Sequence, residues 1–184
     1  MRKWTFQVRI VWVSTLLLVG IGNAAFAQSP ALVIPPVLPL SQQGSVQAGT
    51  LTAARGTHEF VPGSASPSMG YNGSYLGPTI VVERGGRYDL LVQNELEELT
   101  TVHWHGMDIQ ADADGGPRQP IEPGQTWNAR FSVHQAASTA WYHPHAMGTT
   151  ASQVAAGLAG MIIVRDATTP AARNLEARLP GTYG

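Results

Sequence analysis

Between residues 126 and 133 the chain alternates strictly. Trp127, Ala129, Phe131 and Val133 fall on one side of an extended backbone, and Asn128, Arg130 and Ser132 on the other. A period of two over that length predicts a strand with one face in a core. Shorter apolar or alternating runs predict further strands at 50–54, 58–61, 79–83, 87–93, 100–105, 139–143 and 160–165. Turn chemistry separates them: Asn72-Gly73 suits a tight turn with positive φ, Gly85-Gly86 divides two strands, and Glu122-Pro123-Gly124 leads into the Trp127 strand. An alanine-rich stretch, 150–158, predicts one or two helical turns ended by Gly160. There is no internal repeat and no heptad. Many short strands with Gly, Pro and Asn turns predict an all-β antiparallel sandwich or barrel.

The pattern changes at both ends. Arg2, Lys3 and Arg9 precede or flank an apolar run from Ile10 to Ile21, and Ala25-Phe26-Ala27 closes it. That is the layout of a secretory signal peptide over 1–27, too short in its apolar part for a spanning helix of about 20 residues. Export to a periplasm or to the outside of the cell follows, with no membrane anchor. A proline-rich lead-in is expected over 28–48, extended and poorly ordered in its first part. The domain itself is expected over 49–166, and 167–184 is a polar edge resembling the start of a linker. Removing Arg2, Lys3 and Arg9 from the 11 basic residues leaves eight against 12 acids, a net charge of −4. No lysine remains, so the basic surface that nucleic-acid binding requires is excluded. Cysteine is absent, which removes disulfides and thiolate ligands together.

Four of the six histidines stand in two short runs, His103-Trp104-His105-Gly106 and His143-Pro144-His145. Residues i and i+2 of a strand project from one face, so each run offers two imidazoles on one side. Neutral imidazole suits copper, zinc, iron and nickel. The spacing leaves open whether the rings lean on one ion or serve two. Trp104, between two such histidines, faces the core, while Trp141 and Tyr142 anchor the second run. Pro144 restricts its neighbours, and Gly106 lets the chain turn after the site. His58 and His134 lie outside both runs and are expected to be surface or strand histidines. Met107 and Met147 could serve as soft ligands, but packing is the expected role for both. A calcium loop starting at Asp108 or Asp112 fails, because Ala113 and Pro123 occupy positions where that loop needs glycine and glutamate.

These runs, together with Asp114-Gly115-Gly116-Pro117, Tyr71-Asn72-Gly73, Tyr75-Leu76-Gly77-Pro78-Thr79-Ile80, Trp141-Tyr142 and Gly157-Leu158-Ala159-Gly160, resemble the N-terminal plastocyanin-like (cupredoxin) domain of multicopper oxidases. Bacterial copper-efflux oxidases and laccases are the nearest members. The resemblance implies a Greek-key cupredoxin sandwich over nearly the whole chain after the leader. It implies that His103 is a ligand of a type 2 copper, that His105 and His143 bind one type 3 copper, and that His145 binds the other. Asp114 corresponds to an acidic residue assisting proton delivery; as a turn residue capping Gly115-Gly116 it would serve equally. In the family such a trinuclear cluster reduces dioxygen to water, coupled to one-electron oxidation of a substrate.

The departures weigh as much. The type 1 copper needs a cysteine, and the remaining cluster ligands come from a later HxxHxH and an HCH-type motif; none is present. The expectation is therefore half of a trinuclear copper site, incomplete as an enzyme alone, with O2 as co-substrate of the complete enzyme. Missing C-terminal cupredoxin domains or a complementing chain would be its partners. A non-catalytic, exported copper-binding or buffering module is the alternative.

Overall fold

The computed structural model describes residues 34–168; the leader-like segment 1–27, residues 28–33 and the tail 169–184 lie outside them. Nine strands and one short helix follow in the order β1 (Ser41–Gln43), β2 (Val46–Val61), β3 (Ser64–Tyr71), β4 (Ile80–Glu83), β5 (Arg87–Asn94), β6 (His103–His105), β7 (Thr126–Ser132), β8 (Ser138–His143), α1 (Thr150–Ala156) and β9 (Gly160–Arg165). Two sheets form. One has the order β1-β2-β5-β7 with β3 added to β2, the other β4-β9-β8-β6.

Alternation decides what each sheet buries. In β5, Tyr88, Leu90, Val92 and Asn94 are buried and the residues between them are not. In β7, Ala129 and Phe131 point inward beside the half-buried Trp127, as its period of two predicts. From the second sheet Ile80, Val82, Trp104, Ala140, Tyr142, Ile162 and Val164 meet them in one core cluster. That register leaves the intervening residues of β6, β8 and β9 on the outer face, including His103, His105, Trp141 and Met161.

Four differences from the sequence reading have local causes. The expected strands at 50–54 and 58–61 are one strand, β2, whose first half runs parallel to β5 and whose second half pairs with β3. Gly56 is no break; it allows close approach, since a Cβ there would lie 2.6 Å from the Cα of Ser74. β3 itself, Ser-Ala-Ser-Pro-Ser-Met-Gly-Tyr, has the composition of a loop, and its proline is tolerated because it pairs with β2 alone. The sheets are mixed, not purely antiparallel, because β2–β5 and β4–β9 are parallel pairs. Finally, the described part of the lead-in is built into the domain. Leu38 is buried, its N–H donates to the Thr79 carbonyl at 2.8 Å, and β1 pairs with β2.

The turns behave as their residues dictate. Asn72 takes φ 57°, and its side chain accepts from the Thr52 N–H and donates to the Thr50 carbonyl. α1 ends earlier than expected, at the left-handed Gly157 in place of Gly160. Among the described residues no helix is long and apolar enough to cross a membrane.

Just after β9, Asp166 is buried and accepts from the Thr168 hydroxyl and N–H and, at 3.0 Å, from Arg84. Those bonds, the Thr168 hydroxyl foremost, hold its carboxyl below the ordinary carboxylate range. A depressed native pKa gives stability that is present above the unfolded value and lost as pH falls through the folded one. Asp166→Asn is therefore expected to lower Tm at pH 7, with the gap to wild type closing below about pH 4. Melting curves between pH 2 and 7 check it; a gap that stays constant with pH would refute this account.

Candidate metal centre

β6 and β8 are antiparallel neighbours in the register His103–His143, Trp104–Tyr142 and His105–Trp141. Period two therefore places His103, His105 and His143 on one outer face, while Trp104 and Tyr142 enter the core on the other. The four imidazoles converge. Ring centroids of His103 lie 5.5 Å from His105, 5.6 Å from His143 and 5.3 Å from His145. His143 lies 5.4 Å from His105 and 6.1 Å from His145.

His145 reaches the group by a different route from the one expected. β8 ends at His143, so Pro144 and His145 are not on a strand. The His145 N–H donates to the Thr101 hydroxyl at 2.6 Å. Thr101 is wholly buried, as is its neighbour Thr100, whose hydroxyl donates to Gln153 Oε1 at 2.8 Å. Gln153, buried on α1, donates in turn to the Leu99 carbonyl. A short helix thus fixes the segment entering β6, and that segment fixes His145. Sequence reasoning missed Thr100, Thr101 and Gln153, because three β-branched residues, Thr100 to Val102, before a histidine run read as plain strand; β6 in fact begins only at His103.

The second nitrogens identify which lone pairs are free. His103 Nδ1–H donates to the backbone oxygen of Asp114 at 3.0 Å, with the Asp114 carboxylate 3.3 Å away, leaving Nε2 as the lone-pair nitrogen. Asp114 is held there by its turn. Gly115 has φ 72°, and a Cβ on it would lie 1.6 Å from the Val102 carbonyl oxygen, so only glycine lets the loop close on β6. His143 Nδ1–H donates to the Pro144 carbonyl at 2.7 Å, which leaves its Nε2 to accept from His105 Nδ1–H, 3.1 Å away. Burial pushes the His143 imidazole below its ordinary pKa, and the three neighbouring histidines add to this against the opposing Pro144 bond. The neutral imidazole therefore prevails for His143 at pH 7.

The donor set fits a metal. An ion displacing the shared proton would find the two nitrogens 3.1 Å apart, the span of two ligands about 2.0–2.1 Å from one ion at an angle near 100°. Second nitrogens bonded to a carbonyl or carboxylate are the usual support of metal-binding histidines. Among the described residues, no three or more His, Asp or Glu side chains are arranged to hold one ion. Two nitrogens on one ion leave its further ligands to be supplied from elsewhere.

The remaining candidates separate cleanly. His58 stacks on Tyr75 at 4.7 Å near the far end of β2, and His134 is exposed after β7; neither joins the four. Met107 packs against the core as expected, but Met147 does not: it is 86% exposed. Trp141 lies beside the second run but outside the core. It is 39% exposed and stacks on His143 with centroids 3.9 Å apart.

Comparison with known proteins agrees with this picture. A family profile described as multicopper oxidase matches residues 52–169. The multicopper oxidase mco of Staphylococcus aureus is 42% identical over 83% of this chain and 33% of its own length. A cell division protein FtsP from Rahnella is 37% identical over 87% of this chain and 32% of its own. Among solved structures, a laccase from Pediococcus acidilactici superposes with a TM-score of 0.75 at 37% identity, covering 83% of this chain and 32% of that one. The chain spans about a third of the length of the curated relatives it matches.

Proposed function

From the premise that this chain belongs to the multicopper oxidase family, with an all-β, cupredoxin-like fold, we propose that it supplies half of a trinuclear copper site. The observation that carries the reading is the convergence of four imidazoles, three from one sheet face and His145 from the segment after β8, two of them with nitrogens 3.1 Å apart. His105 through Nδ1 and His143 through Nε2 would hold one type 3 copper. His145 would serve the second, and His103 through Nε2 the type 2 ion. When bound in a complete cluster, the copper ions supply the four-electron reduction of dioxygen to water.

This chain's own residues do the positioning. Asp114 orients His103 through its backbone oxygen, and its carboxylate, about one-third exposed, stands where a proton can pass between solvent and the His103 edge of the site. Pro144 and Thr101 orient the second histidine run. The sequence holds no cysteine, so a type 1 copper, and with it the entry of electrons from substrate, requires ligands from another segment or chain. A C-terminal cupredoxin domain carrying further histidines is the partner that would complete the cluster, with residues 1–27 directing the chain to export. The relative named for cell division means that similarity alone does not specify oxidation; the four histidines are what supports the copper reading.

A second reading is a copper-binding or buffering module without turnover, favoured by the absence of cysteine from the sequence and so of a type 1 site within it. One experiment separates them. The copper-loaded chain is expected to show no sustained oxidation of a phenolic substrate, and to gain it when the C-terminal region of a multicopper oxidase is added. Tight copper binding with no gain on addition supports buffering, and sustained turnover by the chain alone would overturn the half-site reading.

A further inference from the structure

Trp141 is exposed too far to be core and placed too exactly to be filler. Its indole lies over His143 with centroids 3.9 Å apart and planes 27° apart, and beside His105 at 5.2 Å and 33°. Strand geometry explains both contacts. Trp141 precedes His143 by two residues on the same face, and is the direct cross-strand partner of His105. It therefore touches both members of the pair whose nitrogens stand 3.1 Å apart. The same register puts Met161 of β9 on its other side.

We propose that Trp141 is a positioning residue for the His105–His143 pair, presetting the separation at which the two nitrogens accept a metal ion. This rests on the metal reading given above. Two constraints fix an imidazole: one on its plane and one on rotation within that plane. The Pro144 carbonyl, accepting from Nδ1–H at 2.7 Å, supplies the second. The stacked indole supplies the first, by face-to-face contact that a flexible aliphatic chain does not reproduce. Without it the His143 ring can tilt away from His105, and its proton can move to Nε2, the nitrogen needed for ligation. A ligand pair left loose forfeits affinity because ordering the rings then falls to the binding step. Supporting groups of this kind are worth about 10–100-fold in metal affinity.

The test uses the full chain in four forms: wild type, Trp141→Ala, Trp141→Leu and Trp141→Phe. Leucine retains bulk without a ring, and phenylalanine retains the ring. In metal-free protein with 15N-labelled imidazoles, His143 is expected to show a single Nδ1–H tautomer in wild type and Trp141→Phe, and averaged tautomers in the alanine and leucine forms. Calorimetric titration with Cu(II) alone is expected to show affinity lowered about tenfold or more in those two forms and within about threefold of wild type for phenylalanine. Wild-type tautomer signals in folded Trp141→Ala and Trp141→Leu would overturn the proposal, as would wild-type affinity in both. If wild type itself takes up no Cu(II), the metal reading fails while the tautomer spectra still decide the role of Trp141.

Discussion

His143→Ala is expected to lower the chain's Cu(II) affinity by at least about 100-fold, beyond what loss of a supporting group costs. His143 is the hub of the site. Its ring neighbours His103, His105 and His145, and it alone stacks on Trp141. Removing it takes away a donor, and it leaves His105 Nδ1 without its partner and Trp141 without its seat. The fold is expected to persist, because the His143 side chain lies outside the core between the sheets. The cost to stability is on the order of 1–3 kcal/mol, from a void and from the Pro144 carbonyl left without a donor. Calorimetric titration beside a melting curve separates the two effects. His58→Ala is the matched control: it also removes a stacked imidazole, yet its affinity should equal wild type. Equal losses in both variants would show that copper binds wherever histidine is found, and the convergent site would lose its meaning.

The histidine face was legible in the sequence because period two is enforced by chain geometry. Once His103 and His105 are strand-borne, both must leave the sheet on the side opposite Trp104, and they do. The same rule placed the apolar side of β7 correctly. It fails wherever hydrogen bonding through side chains replaces a ladder. His145 lies past the end of β8, and its position depends on a hydroxyl from Thr101, 44 residues earlier. No local pattern announces such a bond. β3 was invisible for a related reason: its backbone bonds come from β2, while its serines, proline and glycine have little strand preference. An aromatic residue beside a histidine run reads as an anchor by default, without saying what Trp141 rests on. Alternation already put it on the histidine face, opposite Tyr142, and that signal was sufficient to place it. Exposure and stacking then reveal its partner as His143, not the core.

Trp104→Ala is expected to destabilise the domain by about 3–5 kcal/mol, the usual cost of deleting a buried aromatic side chain. Tm should fall by roughly 10–20 °C in a domain of this size. Trp104 is fully buried and packs against Phe131 of the opposite sheet at 5.8 Å and Tyr142 at 5.9 Å. It therefore joins the two sheets directly behind the histidine face. Its second function is polar: the indole N–H donates to the Ala113 carbonyl at 3.0 Å, next to Asp114, whose own backbone oxygen receives His103. Trp104→Phe tests the two functions apart. It retains most of the ring packing but strands the Ala113 carbonyl, which costs about 1–3 kcal/mol. That variant should melt well above Trp104→Ala. In imidazole 15N spectra of the metal-free chain, it should also disturb His103 more than His145, because only His103 depends on the 113–114 loop. Should His103 and His145 respond alike, the tryptophan acts on the site through general loosening of the sandwich, and the specific link from core indole to metal-facing imidazole would have to be abandoned.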